Sequence, residues 1–416
     1  MSAVALRMAG VFGLVIAEGS RALIGRFTRP HDRSQRFGVF ARRVCERAGG
    51  MVPKLGQVLG SRPDLVSREV CSQFERLHDR MPPEGPRETS RMLRQLADLA
   101  LRDVQRRPIA SASIAQVHVA VRSDTGQEVA LKLLRPRVHE RLRVDMRLAR
   151  LAGGLLGRLP AFTAIPFAEA LELAGAAVGA QTDMKQEGRN LERLARVFAS
   201  TPWVVVPRVH TDLCRDDVLA MDYIGGLRKL TDPALERDEA RRLTVLALHA
   251  LYVMIFLAGF VHCDMHPGNV MATPDGKVAL LDAGLVAELS DTTRRDFAEF
   301  FMAIAQSRGD RAADIVLRTA LHVPPTLSQE AFRSEIKELV DRVSGLKAGE
   351  FGVALFASDL FAIQTRHGLR GSPKFTMAIV ALLVYEGLAK QLIPDLDFQA
   401  ESGPFVLAAL TIRQAA

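Results

Sequence analysis

At 416 residues, 48% hydrophobic and 25% charged, the chain is long enough for two or three domains and too apolar and varied for long disorder or a fibrous repeat. Its formal charge of +8 comes from arginines spread along the chain. That favours anionic partners such as phosphate groups or an acidic membrane surface, while three tyrosines and one tryptophan leave few rings to stack on bases, so nucleic acid is not an expected partner. Cys45, Cys71, Cys214 and Cys263 are far apart and form no CxxC pair, which argues against a zinc site or a disulfide framework and for a reducing, cytoplasmic compartment.

In chain order, residues 1–34 read as an amphipathic segment. Val4–Ile24 is apolar but interrupted by Arg7, Glu18 and Arg21, and with Arg26 and Arg29 it suits peripheral attachment to the inner membrane face. Residues 35–104 read as a helical extension broken at Met81–Pro86, MPPEGP, and Pro53 is placed to open a helix within it. Residues 105–226 read as a small lobe with a helical insert. Ala115–Val121 alternates, Asp124–Gly126 turns, and Glu128–Leu134 returns as an apolar strand containing Lys132. A lysine there must escape at an edge or meet a carboxylate or phosphate. A long helical stretch, Val138–Phe198, follows, interrupted near Leu159–Pro166, and its spacing places Asp183, Glu187 and Asn190 on one helical face. Strands are expected at Val204–Val209 and Asp217–Tyr223.

Residues 227–416 read as a helical lobe around one exceptional stretch, VHCDMHPGNVMATPDGKVALLDAGLV, Val261–Val286. An apolar helix, Leu243–Phe260, leads into it. Pro267 and Gly268 forbid helix continuation, so Asp264 and Asn269 flank an irregular loop. Asp275 and Gly276 suit a hairpin turn, Lys277–Leu281 a buried strand, and Asp282 then emerges at the strand end. A hard divalent cation carrying phosphate oxygens needs a few oxygen ligands, which one aspartate and one asparagine can supply, while a second carboxylate can orient or deprotonate an attacking hydroxyl. The order H-x-D-x-x-x-x-N, hairpin, D-x-G matches the phosphoryl-transfer arrangement of protein kinases, in which Lys132 would hold nucleotide phosphates and Glu187 would pair with it. His262, Cys263 and His266 lack a fourth ligand for zinc, and His262 reads as a structural hydrogen-bonding residue. The apolar run Phe375–Leu388 is too short to span a bilayer and reads as a buried helix. The aromatics of Phe297–Phe301 and Phe375–Met377 read as core stripes.

The set resembles the UbiB family of atypical kinases, also called ABC1, AarF or ADCK proteins, from about Phe37 to Phe405. The motifs are KLGQ at Lys54–Gln57 followed by SRPDL, ASASIAQVH at Ala110–His118, and HCDMHPGN at His262–Asn269. The resemblance implies an α+β, bilobal protein-kinase-like fold with a small β-containing N-lobe, a helical C-lobe and an N-terminal helical extension. It implies ATP and Mg²⁺ as cofactors, with nucleotide between the lobes, Lys132 and Glu187 as the positioning pair, and Asp264 as the catalytic-loop aspartate. Asn269 and Asp282 become metal ligands, and Ala110, Ser111, Ala112 and Ser113 an alanine-rich phosphate loop. Lys54 and Gln57 would lie over the protein-substrate position with Lys54 pointing into the active site, which argues against protein kinase activity. An ATPase or small-molecule or lipid kinase serving ubiquinone or other isoprenoid lipids is implied. A nucleotide-binding pseudokinase-like membrane scaffold and a small-molecule phosphotransferase are the alternatives.

Two positions depart from the family pattern. Its E-x-D element reads QTD here, with Gln181 in place of glutamate and Asp183 as the remaining carboxylate, which weakens any ion pair made by Lys54. Ser111 adds a hydroxyl to the alanine-rich loop.

Overall fold

The computed structural model describes residues 33–48, 51–60, 68–74, 82–156, 167–344 and 350–411, with single residues or pairs at 13, 66 and 76–77. The expected membrane-facing segment, the SRPDL residues after Gly60 and the interruption near Leu159–Pro166 lie outside the described residues, apart from position 13. The chain forms two units. One takes residues up to Gly188 together with Val209–Tyr223, and the other takes Arg189–Arg208 with everything from Ile224 onward.

The first unit opens with helices α1 (Arg33–Ala48), α2 (Val52–Gly60), α3 (Arg68–Phe74) and α4 (Pro86–Arg94). Pro53 sits in the first turn of α2, where its missing N–H costs nothing. The helical extension expected over residues 35–104 stops earlier, because Leu101–Arg102 is captured as strand β1 by Val121 and Arg122. The hairpin β3 (Ala115–Arg122) and β4 (Glu128–Leu134) forms as the alternation predicts, and β2 (Ala110–Ser111) adds to β3. Helices α5 (Val138–Leu156), α6 (Phe167–Ala180) and α7 (Met184–Val197) follow.

After α7 the chain contributes β5 (Val204–Val205) to the second unit and returns to the first for β6 (Val218–Asp222), which pairs antiparallel with β4. The strand expected over Val204–Val209 is therefore two residues long, and Val209 makes only a lone bridge to Met221. The resulting sheet runs β1-β3-β4-β6 with β2 on the β3 flank. One face carries Ala120, Val129, Leu131, Leu133, Val218 and Ala220 against Met92 of α4, Leu96 and Leu99, giving this unit its core. By the two-residue period of a strand, Lys132 belongs to the opposite face.

The second unit continues with β7 (Arg228–Lys229) and helix α8 (Arg237–Tyr252), which widens into one π-helical turn at Val253–Ala258. It ends at Gly259 with φ +64, one residue before the expected end at Phe260. A left-handed C-terminal glycine of this kind reverses the chain, here into β8 (Phe260–His262). A Cβ at Gly259 would stand 2.7 Å from the Leu289 carbonyl oxygen, whose own residue donates its N–H to the Gly259 carbonyl. Gly259→Ala is therefore expected to cost at least ~2 kcal/mol, from left-handed strain plus a backbone clash, read as a lower urea midpoint.

The hairpin β9 (Val270–Ala272) and β10 (Val278–Leu280) turns through Asp275 and Gly276, the latter at φ +73, and joins β5 and β7 in the sheet order β5-β10-β9-β7. Strand β11 (Val286–Glu288) pairs with β8. Helices α9 (Asp291–Ala305), α10 (Gly309–Thr319), α11 (Gln329–Ser344), α12 (Val353–Arg366), α13 (Pro373–Leu392) and α14 (Phe398–Thr411) complete it.

The aromatic stripes pack as a core. Phe297 lies 5.8 Å from Phe256 and 4.9 Å from Phe375, and Phe300 lies 5.5 Å from Phe375. An apolar cavity lined by Phe300, Phe301, Ile304, Phe356, Ile379 and Leu382 borders this cluster. Among the described residues, two helical stretches, Arg237–Ala258 and Pro373–Leu392, are long and apolar enough to cross a membrane, and 61% of the most apolar window of each is buried within the protein. Glu386, the charge in the second, accepts the Val353 and Ala354 N–H groups at 2.8 and 2.7 Å and so caps the start of α12.

Candidate active site

Lys132 is 9% exposed and sits on β4, a strand with partners on both sides, so it cannot escape at an edge. Its ammonium donates to both carboxylate oxygens of Glu187 at 2.7 and 2.8 Å, and Glu187 is 0% exposed. A charge pair this enclosed is tolerated only because each member neutralises the other. Glu187 lies one turn into α7. Asp183 stands just before that helix and accepts the Gln186 N–H at 2.8 Å, as an N-cap does. The expected common face therefore holds Glu187 and Asn190, both buried, while Asp183 is exposed and outside the helix.

Along the alanine-rich segment, Ala110 and Ser111 form β2, and the Ala112 N–H donates to the Ala115 carbonyl at 2.9 Å to close a tight turn. The Ser113 hydroxyl is buried with no hydrogen-bond partner among the described residues, an unusual state for such a group. Lys54 is buried on α2, and the Gln57 side chain donates to the Leu77 carbonyl at 3.0 Å. A Cβ on Gly56 between them would meet Leu77 and Cys45, so this glycine permits close packing of α2.

In the second unit, the loop from Asp264 to Asn269 closes on itself. Asn269 donates its side-chain N–H to the Asp264 carbonyl at 2.9 Å, which fixes the amide and leaves Oδ1 as its metal-capable atom. The Leu281 N–H donates to the Asn269 carbonyl at 2.8 Å, so Asn269 and the neighbour of Asp282 meet at the open end of the β9–β10 hairpin. Asp282 has φ +29, a rare backbone state for a residue with a side chain, and its Oδ1 accepts the Gly284 N–H at 3.1 Å. The Asn190 amide donates to the Ala283 carbonyl at 2.8 Å, holding the D-A-G turn in place. An amide oxygen and a carboxylate at one hairpin end are hard donors, and they fit magnesium better than a softer ion.

His262 ties the same elements together. Its Nδ1 accepts the Asp264 N–H at 3.1 Å, and its Nε2 donates to the Leu281 carbonyl at 3.1 Å. Both ring nitrogens are thus used by a neutral imidazole acting as a strut. His266 accepts the Gly268 N–H on Nδ1 at 2.9 Å, with Nε2 3.8 Å from an Asp264 carboxylate oxygen. Burial pushes the imidazoles of His262 and His118 below the usual histidine range. Unfolded histidines bind protons below pH ~6.5 while these two resist until lower pH, so stability is expected to fall as pH drops from about 6.5 and to be insensitive to them above it. Urea midpoints at pH 7.5 and 5.5 measure this, in a window above most carboxylate titrations, and equal midpoints would contradict it.

A lysine on a five-stranded antiparallel sheet paired with a helical glutamate, together with a D-x-x-x-x-N loop and a D-x-G hairpin end, defines a kinase-like protein. A family model described as ABC1 atypical kinase-like domain matches residues 76–316, and one described as UbiB helical domain matches residues 336–397. The chain belongs to the ABC1 atypical kinase family, and its fold is the α+β kinase-like fold of that family. A curated relative from Edwardsiella ictaluri, named Probable protein kinase UbiB, is 29% identical over 93% of this chain and 73% of its own length. One from Tolumonas auensis with the same name is 28% identical over 89% and 70%. Among solved structures, a Mycobacterium tuberculosis protein described as the complex structure of Rv3197-erythromycin matches at 21% identity with TM-score 0.48, covering 82% of this chain and 92% of that one.

Proposed function

We propose that the protein binds ATP with Mg²⁺ and either hydrolyses it or passes the terminal phosphoryl group to a hydroxyl of a small molecule or lipid, in support of ubiquinone or other isoprenoid lipids. The observation that carries this reading is the enclosed Lys132–Glu187 pair, a costly arrangement whose known use in a kinase-like fold is to present an ammonium to nucleotide phosphates. Magnesium, when bound, screens the phosphate charge and polarises the transferring group. Asn269 Oδ1 and the Asp282 carboxylate would hold it. Lys132, fixed by Glu187, supplies positive charge to phosphate oxygens, and the Ser113 hydroxyl offers them a donor. Asp264, held by His262 through its backbone N–H, orients water or a hydroxyl and takes its proton.

The acceptor follows from chemistry more than from names. The curated relatives carry a protein-kinase name, but the K-x-G-Q helix with buried Lys54 resembles the element that covers the protein-substrate position in this family. Asp183, exposed and capping a helix, and Gln181, uncharged, give Lys54 a weaker carboxylate counterpart than the usual family element. We place the protein in the cytoplasm, in contact with the inner membrane face through its basic N-terminal segment.

Purified protein tested for Mg²⁺-dependent binding of a fluorescent ATP analogue decides the first step, and its absence would sink the reading. Labelled γ-phosphate then follows the product in the presence of anionic liposomes, an isoprenoid quinone and a generic protein substrate. Release as inorganic phosphate or label on the lipid supports the proposal. Label on the protein substrate would return the enzyme to the protein kinases, and binding without turnover would make it a nucleotide-driven scaffold.

A further inference from the structure

One guanidinium holds the alanine-rich segment from outside. Arg135 follows β4 and is 5% exposed. Its backbone N–H donates to the Ile114 carbonyl at 2.8 Å, its Nε to the Ala112 carbonyl at 2.7 Å, and its Nη2 to the Ser111 hydroxyl at 2.8 Å. The rest of the fork turns the other way. Nη2 also donates to the Pro82 carbonyl at 2.9 Å, and Nη1 donates to Glu84 Oε1 at 2.8 Å. Glu84 is itself fixed, since its carbonyl accepts the Thr89 hydroxyl at 3.0 Å at the start of α4 and its N–H approaches Gln116 Oε1 at 3.4 Å.

Three of the four residues Ser111–Ile114, namely Ser111, Ala112 and Ile114, thus hang on one side chain and its backbone, and that side chain is anchored to the rigid Pro-rich turn. We infer that Arg135 is the positioning residue of the alanine-rich loop: with Glu84 as its anchor it sets the loop conformation that admits the nucleotide triphosphate. The inference rests on the nucleotide reading above. The loop has no glycine and few side-chain bonds of its own, so its shape must come from neighbours, and Arg135 supplies most of the named ones. A planar fork with five donors can satisfy four acceptors in fixed directions. A lysine at this position keeps the charge opposite Glu84 but cannot span to Ser111 and Ala112.

Arg135→Lys separates this role from a general structural one. In the full-length protein, MgATP affinity is expected to fall about tenfold while adenosine affinity, which needs no phosphate loop, stays within about twofold. In the absence of nucleotide, hydrogen exchange of the peptide covering 109–116 is expected to speed up while that of β6 is unchanged. Ser111→Ala, which removes one bond and leaves the ion pair, is expected to show the same pattern more weakly, and it serves if Arg135→Lys does not fold. Unchanged loop exchange, or equal losses for ATP and adenosine with faster exchange throughout, would overturn the inference. A wild-type protein that binds no nucleotide would instead overturn the nucleotide reading, and the exchange data would still decide whether Arg135 holds the loop.

Discussion

Lys132→Met is expected to cost about 3–5 kcal/mol of stability, because it strands a buried carboxylate. Glu187 is fully enclosed and both of its oxygens receive bonds from the one ammonium. Methionine fills most of the lysine volume, so the loss is electrostatic and not a cavity effect. Adding Glu187→Gln to the same chain removes the stranded charge and is expected to recover about half of the loss. Urea unfolding followed by circular dichroism measures both variants. The protein's one tryptophan, Trp203, lies in the second unit and would report the wrong half of the molecule. Neither variant is expected to bind MgATP, so the double variant would be clearly more stable than Lys132→Met yet just as inactive. That separation is the signature of a pair kept for chemistry. A single-variant cost below about 1 kcal/mol would show the pair to be no better than a surface salt bridge.

What could be read in the sequence is what obeys a local period or a turn rule. The hairpin Ala115–Leu134 announced itself by alternation around Asp124–Gly126, and Lys132 stood out as the charge that its strand could not carry alone. The loop at Asp264–Asn269 was legible because proline and glycine forbid a helix there. The strands β8 and β11 were not, since three residues carry no period and their pairing joins positions 24 or more apart in sequence. Arg135 is illegible for a similar reason. Its anchor Glu84 lies 51 residues away, and nothing in the string RPRVHE distinguishes a guanidinium that turns inward from one in solvent. Helical spacing puts Asn190 on the face with Glu187, but its partner, the Ala283 carbonyl, is 93 residues distant and only the fold reveals it. Asp183 is the opposite case, since helical spacing carries on through it while the chain there is already a cap, one residue before the helix.

The two carboxylates of the Val261–Val286 stretch are expected to fail in different ways when each is changed to an amide. Asp282 would contribute a full negative charge to the cation, and Asp282→Asn keeps the size and the Gly284 N–H bond while removing that charge. Asparagine also tolerates positive φ, so the backbone state at φ +29 is preserved and misfolding is a poor explanation for any loss. The expected result is loss of about 3–4 kcal/mol from Mg²⁺-dependent nucleotide affinity, or about 10²–10³-fold. Asp264→Asn should leave that affinity within about threefold, because the loop is built from the Asp264 backbone, through the His262 and Asn269 bonds, and not from its carboxylate. Turnover should nevertheless fall about 10²–10⁴-fold, the usual contribution of a positioned base. Titrations with and without magnesium, run beside single-turnover hydrolysis, measure both quantities. If Asp264→Asn lost affinity as severely as Asp282→Asn, the first carboxylate would be a cation ligand and the division of roles in this loop would have to be redrawn.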